Sequence, residues 1–243
     1  MANTITSKQN PLIKQLRLLT QKKGDFSATH FLVEGDHLVE EARRAGLIDK
    51  TLVDIRRAIT EPEADILISE AIGTMLSQQK SWPGILGLCR RPTVTSWTGH
   101  RLVYLDGLQD PGNVGTILRT AKAFDFSAVL YQETTADPWG FKTLQSSQGA
   151  SFLLPVIKMN RAELKALKSQ GYTLVGTTLQ SPSTPLPSWK VPEKCVLILG
   201  HEGQGLHPET LALLDERITI PMSGMESLNV AVAFGIFAYF IHA

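Results

Sequence analysis

Leu105-Asp106-Gly107-Leu108-Gln109-Asp110-Pro111-Gly112-Asn113-Val114-Gly115-Thr116-Ile117-Leu118-Arg119-Thr120-Ala121 carries a strand into a turn and the turn into a helix. Leu102 to Leu105 is a short apolar run, and Gly107 and Pro111-Gly112 are turn formers. Val114, Ile117, Leu118, Ala121 and Phe124 then recur on one helical face, which leaves Gly112, Thr116 and Arg119 aligned on another. Arg119 therefore points away from the core. Taken alone, Asn113 would serve as a helix cap and Arg119 as a surface charge.

The same rhythm runs outward from this block. Val129 to Tyr131, Leu153 to Ile157, Thr173 to Gly176, Cys195 to Leu199 and Ile218 to Ile220 read as strands, with helical segments between most of them. Apolar runs of this kind suit a doubly wound parallel sheet with both faces covered. Leu179 to Ser188, rich in Pro and Ser, reads as a loop over a site. Upstream, Asn10-Pro11 opens a helix whose Leu12, Ile13, Leu16 and Leu19 share a face, and Asp36 to Ala45 is a helix closed by Gly46. With strands at Phe31–Val33, Thr51–Val53, Ile66–Ile68 and Ile85–Cys89, this makes a smaller α/β layer. Arg90 to Gly99 reads as the linker, so two domains are expected, residues 1–95 and 96–243.

The 243 residues are 43% hydrophobic and 19% charged, a globular composition. Nothing near the N-terminus resembles a secretion signal, and the apolar run Val230 to Ile241 falls short of the roughly 20 residues a membrane span needs. The cytoplasm is the expected location, with no membrane contact. Cys89 and Cys195 are isolated core thiols by pattern, and the histidines lack metal-site spacing, so no metal is expected. The net charge of +1 hides an asymmetry: residues 1–24 hold Lys8, Lys14, Arg17, Lys22 and Lys23 and no acid. Such an arm is either a solvated face or a phosphate-binding surface.

Two more blocks end strands. Leu197-Ile198-Leu199-Gly200-His201-Glu202-Gly203-Gln204-Gly205 spaces three glycines so that a ligand can approach the backbone, in an order that matches neither a dinucleotide fingerprint nor a P-loop. Ile220-Pro221-Met222-Ser223-Gly224-Met225-Glu226-Ser227-Leu228-Asn229-Val230 sets polar groups before an apolar helix that runs to Phe240. Ligands in parallel α/β sheets bind beyond the carboxyl ends of strands, where all three blocks fall.

Together the blocks resemble the SPOUT superfamily, in particular its SpoU or TrmH-type RNA ribose 2′-O-methyltransferases. Asp110-Pro111-Gly112-Asn113-Val114-Gly115 with Arg119 is similar to the first family motif, Gly200-His201-Glu202-Gly203-Gln204-Gly205 to the second, and Ile220-Pro221-Met222 with Ser227-Leu228-Asn229-Val230 to the third. Ile5 to Pro11 and Phe31-Leu32-Val33-Glu34-Gly35 resemble the family's L30e-like RNA-binding domain. Asp125 departs from the glycine common after the first-motif helix, and Gln148 from a small or apolar residue.

The resemblance implies an L30e-like N-terminal domain followed by a trefoil-knotted, mostly parallel α/β methyltransferase domain that dimerises through the knot and C-terminal helix. It implies S-adenosylmethionine as cofactor, seated by Thr177, Thr178, Gly200, Gly203, Ile220, Met222 and Leu228. It also implies that Asn113, Arg119, Glu202, Ser227 and Asn229 form the catalytic set. RNA, ribosomal in preference to transfer RNA, would meet Lys8, Asn10, Lys14, Arg17, Lys22, Lys23, Arg43 and Arg44. A non-catalytic RNA-binding protein of the same fold is the competing expectation.

Overall fold

The computed structural model describes residues 3–21, 25–57, 64–179 and 182–242, so Lys22 and Lys23 lie outside the described residues. Two compact units part between Thr93 and Val94.

The first unit comprises β1 (Asn3–Ile5), α1 (Pro11–Thr20), α2 (Phe26–Thr29), β2 (His30–Glu34), α3 (Asp36–Arg44), β3 (Ile48–Asp54), β4 (Ile66–Ile68), α4 (Glu70–Leu76) and β5 (Ile85–Arg90). Its sheet order is β1-β4-β3-β5-β2, with β5 antiparallel to both neighbours and the other pairs parallel. The Asn10 side chain accepts a hydrogen bond from the Leu12 N–H at 2.9 Å and Pro11 fills the first helical position, as the sequence predicts. Ile13, Leu16 and Leu19 of α1 pack with Leu52, Ile68, Ile72, Leu76 and Leu86 into one core.

The second unit comprises β6 (Arg101–Asp106), α5 (Pro111–Ala123), β7 (Ala128–Tyr131), α6 (Phe141–Ser147), β8 (Val156–Lys158), α7 (Arg161–Ala166), β9 (Thr173–Thr177), β10 (Thr184–Pro185), β11 (Cys195–Gly200), α8 (Pro208–Leu211), β12 (Glu216–Thr219) and α9 (Val230–His242). Its seven strands are all parallel in the order β10-β12-β9-β11-β6-β7-β8. Leu102, Tyr104, Leu130, Leu174, Val196 and Ile198 face a core with Leu164 and Leu167. Because side chains alternate along a strand, Val103, Leu105, Leu197 and Leu199 face the opposite way. Cys89 and Cys195 are fully buried, and burial pushes the Cys195 thiol up to about 11.

Several expectations need correction. The strand expected over Leu153–Ile157 begins only at Val156: Gly149 turns the chain at φ 82° into a short helical turn, Ala150–Phe152, and Leu153 is exposed. The expected loop over Leu179–Ser188 holds β10 and a helical turn, with Leu186 and Trp189 buried and the Trp189 indole N–H donating to Glu216 at 2.6 Å. The expected linker is tied down at its far end, where Trp97 Nε1 donates to the Tyr172 hydroxyl at 3.0 Å. Asp125 adopts φ 54°, a left-handed backbone that Asp tolerates better than most residues. Helix α9, apolar all round in sequence, is covered within this chain at Phe234, Phe237, Ala238 and Ile241 and leaves Val232, Ile236 and Tyr239 exposed.

Candidate active site

The turns that follow β9, β11 and β12, with the start of α9, surround a cavity of about 630 Å³, within the usual range for small-molecule sites. Thr177, Thr178, Gly200, Gly203, Ile220, Met222 and Leu228 all line it, as do Glu202, Glu226, Ser227 and Asn229. Gly200 must be glycine, since a Cβ there would collide with the Gly205 carbonyl group, whose oxygen accepts from the His201 N–H. That closure folds residues 201–205 into a tight turn on the cavity wall. His201 Nδ1 accepts from the Gly203 N–H at 3.0 Å, which assigns any proton of the neutral ring to Nε2.

Among the described residues no Lys or Arg lines the cavity, and the ionisable lining groups are His201, Glu202 and Glu226. A polyphosphate would find no cation there. A nucleoside carrying positive charge fits the donor set, with Ile220, Met222 and Leu228 for its apolar parts and the backbone of both turns for its polar edges.

Beside the cavity, three residues far apart in sequence form one directional chain. The N–H groups of Ala231 and Val232 donate to Asn229 Oδ1 at 2.9 and 3.2 Å, so Asn229 caps α9. Asn229 Nδ2 donates to Asn113 Oδ1 at 2.9 Å, and Asn113 Nδ2 donates to Glu202 Oε1 at 3.1 Å. The ends dictate the polarity: a helix N-terminus offers only donors and a carboxylate only acceptors, so both amides have one permitted orientation. Asn113 is free for this because Asp110 caps α5, its carboxylate accepting from the Asn113 N–H at 2.8 Å. Taken alone, Asn113 reads as the cap of α5; the structure gives that cap to Asp110, and caps α9 with Asn229.

Partial burial of Glu202 is the largest single influence on its carboxyl and opposes ionisation. The N–H of Glu202 itself, the Asn113 amide and the N–H groups of Asp110 and Gln109 together outweigh it, and the pKa is lowered. Glu202 is thus held as an acceptor through neutral pH. Its stabilising contribution is present above the unfolded carboxylate pKa and disappears as pH falls through the lowered folded value.

Arg119 is exposed on α5, outside the cavity lining and about 9 Å of helix rise beyond Asn113. Within this chain it is not brought to the amide chain. In the first unit Lys8, Lys14 and Arg17 are exposed. Asn10 commits its side-chain oxygen to capping α1. Arg43 pairs with Glu40, and Arg44 with Glu40 and Glu41, at 2.8 to 3.0 Å within α3, which leaves these two less charge for phosphate than the sequence alone implied.

Sequence reasoning missed Asp106 and Arg161. Asp106 ends β6 with its side chain fully buried and pairs with Arg161 at 2.9 Å. The only signal in the sequence was an acid at the end of an apolar strand. Among the described residues no group of three or more His, Cys, Asp and Glu side chains could hold a metal ion. Nor, among them, is any helix long and apolar enough to cross a membrane.

Residues 100–239 match the SpoU rRNA Methylase family, and residues 10–84 match the MRM3-like substrate binding domain. The chain is 36% identical over 244 residues, covering 97% of both proteins, to the 23S rRNA (guanosine(2553)-2′-O)-methyltransferase RlmP of Bacillus subtilis. An AdoMet-bound rRNA methyltransferase from Sinorhizobium meliloti superposes with a TM-score of 0.84 at 26% identity, over 99% of this chain and 97% of that one. An RNA 2′-O ribose methyltransferase superposes with a TM-score of 0.80 at 28% identity, over 98% and 97% of the two chains.

Proposed function

Because the chain belongs to the SpoU rRNA methylase family, we propose that it transfers a methyl group from S-adenosylmethionine to a ribose 2′-hydroxyl of ribosomal RNA. The observation that carries this reading is the chain Asn229 to Asn113 to Glu202 beside a cavity that no Lys or Arg of the described residues lines. The turns after β9, β11 and β12 would hold the cofactor, which when bound would supply a methyl group activated by a sulfonium centre. The protein's own work is alignment, which can account for much of the rate of such a displacement. Asn113, Glu202, Ser227 and Asn229 hold the target ribose by hydrogen bonds, and Glu202 and Glu226 put negative charge beside a cationic ligand. Arg119 stabilises the developing alkoxide. A guanidinium stays charged and is a poor proton acceptor.

In this reading the first unit is the RNA-binding domain, with Lys8, Lys14 and Arg17 as phosphate contacts that set register without reading bases. The domain boundary lies near residue 95. The turns at 200–206 and 218–230, which close on one cavity, form the knotted cofactor seat. The protein works in the cytoplasm as a homodimer. Val232, Ile236 and Tyr239, 54%, 39% and 66% exposed, form an apolar stripe on α9 that suits a second copy. Ile236→Arg is expected to weaken self-association about 100-fold, seen as a monomer by light scattering with unchanged circular dichroism. An unaltered dimer would place the interface elsewhere.

The function itself is tested by incubating the purified protein with labelled S-adenosylmethionine and RNA from cells lacking the gene. Label is expected in ribosomal RNA as a 2′-O-methylated nucleotide. Label confined to transfer RNA would move the substrate, and binding of cofactor and RNA without transfer would leave a non-catalytic protein.

A further inference from the structure

Asp106 stands in register with Gly200 across the β6–β11 pair, so it ends its strand beside the cavity wall without lining the cavity. Its two carboxylate oxygens have two different partners. Oδ1 accepts from Arg161 Nη2 at 2.9 Å, and Oδ2 accepts from the backbone N–H of His207 at 3.0 Å. Arg161 also donates through Nε to Thr210 Oγ1 at 2.9 Å, and its Nη1 lies 3.6 Å from Glu209. Thr210 is fully buried and belongs to α8, whose first turn is capped by His207. The result is a closed ring, Asp106 to Arg161 to Thr210 and back along the chain to His207. It clamps the segment 207–210 onto the end of β6.

That segment carries the cavity wall on both sides. Leu206 and Leu211, which flank it, line the cavity, and Gly205 immediately before Leu206 seats against Gly200. A buried ion pair is a poor source of stability, because desolvation consumes most of its attraction. Apolar side chains would have served a core better. A paired charge with direction and fixed reach is, however, well suited to set the position of a loop.

We propose that Asp106 and Arg161 are positioning residues that hold the turn at 200–206 and the start of α8 at the spacing that S-adenosylmethionine requires, without touching it. The inference rests on the cavity being the cofactor seat. Only a carboxylate can accept from both donors; in Asp106→Asn one oxygen becomes an NH₂ group that faces a donor. Arg161→Lys keeps a charge but cannot reach Asp106 and Thr210 together through a planar fork.

The full-length protein is titrated with S-adenosylmethionine by calorimetry and assayed for methyl transfer. Asp106→Asn is expected to raise Kd and KM for the cofactor about tenfold, with kcat at saturation within about twofold of wild type, and Arg161→Lys to shift both in the same direction by less. The double variant Asp106→Leu/Arg161→Met separates position from stability, because replacing a whole buried pair by apolar residues commonly restores stability. Its melting temperature is expected to return towards wild type while the cofactor Kd stays raised. Recovery of affinity together with stability, or folded single variants with wild-type Kd, would overturn the proposal. A wild-type protein that binds no S-adenosylmethionine would instead overturn the cofactor reading beneath it.

Discussion

Asn113→Asp is expected to lower kcat by at least about 100-fold with little loss of stability, measured as methyl transfer at saturating cofactor and RNA alongside thermal melting. The substitution changes one NH₂ group to oxygen. Its consequence follows from the polarity of the chain, in which Asn113 accepts from Asn229 and donates to Glu202. An aspartate can still accept from Asn229, but it turns a second carboxylate towards one held ionised by its other donors. One of three things must then happen: the Glu202 side chain leaves, one carboxyl takes up a proton, or the turn at residues 201–205 shifts. Each spoils the alignment of the ribose. The fold should survive because the Asn113 side chain is on the surface of α5 and the helix is capped by Asp110. A proton shared between two carboxyls would also give a partial rescue of activity as pH is lowered, which wild type should not show. Asn113→Asp with wild-type turnover would remove the amide chain from catalysis.

Arg119→Ala is expected to lower kcat about 100- to 1000-fold, the usual cost of removing one donor that meets developing charge. Its stability should be near wild type, since the side chain is exposed and buries nothing in the chain itself. Arg119→Lys discriminates between roles. A point charge that merely attracts phosphate would be largely kept by lysine and would show mainly in the KM for RNA. A planar fork bridging the ribose hydroxyl and a neighbouring oxygen would not be kept, and kcat would fall nearly as far as in the alanine variant. Near-wild-type turnover of Arg119→Lys would rule out any role that depends on bidentate geometry.

Much of the site was legible because its polar groups stand where a core pattern breaks. Gly200, Glu202, Ser227 and Asn229 each interrupt an apolar run at a strand or helix end, and backbone chemistry limits what such residues can be for. The cavity gathers Thr177, Gly203, Ile220, Met222 and Leu228 from four separate stretches of chain. Asp106 and Arg161 escaped because they are 55 residues apart and neither is unusual alone; only the burial of Asp106 and its pairing with Arg161 mark them. Which residue caps each helix is left open by the sequence for a local reason. Asp110 and Asn113 are both good caps three residues apart, as are Ser227 and Asn229 two apart, and propensity does not choose between neighbours.

What this sequence determined by itself is the set of things decided within a few residues: apolar strands alternating with helices, the Asn10-Pro11 helix start, and the three polar blocks at strand ends. The tertiary structure decided what depends on distant partners. It gave each amide of Asn113 and Asn229 its direction, because Glu202 is 89 residues from Asn113 and Asn229 is 116. It separated Val232, Ile236 and Tyr239, exposed in this chain, from Phe234 and Phe237 on the covered side, because only packing tells which side of an apolar helix the chain itself covers. And it closed the ring around Asp106, since a buried charge acquires a purpose only from the groups that the fold brings to meet it.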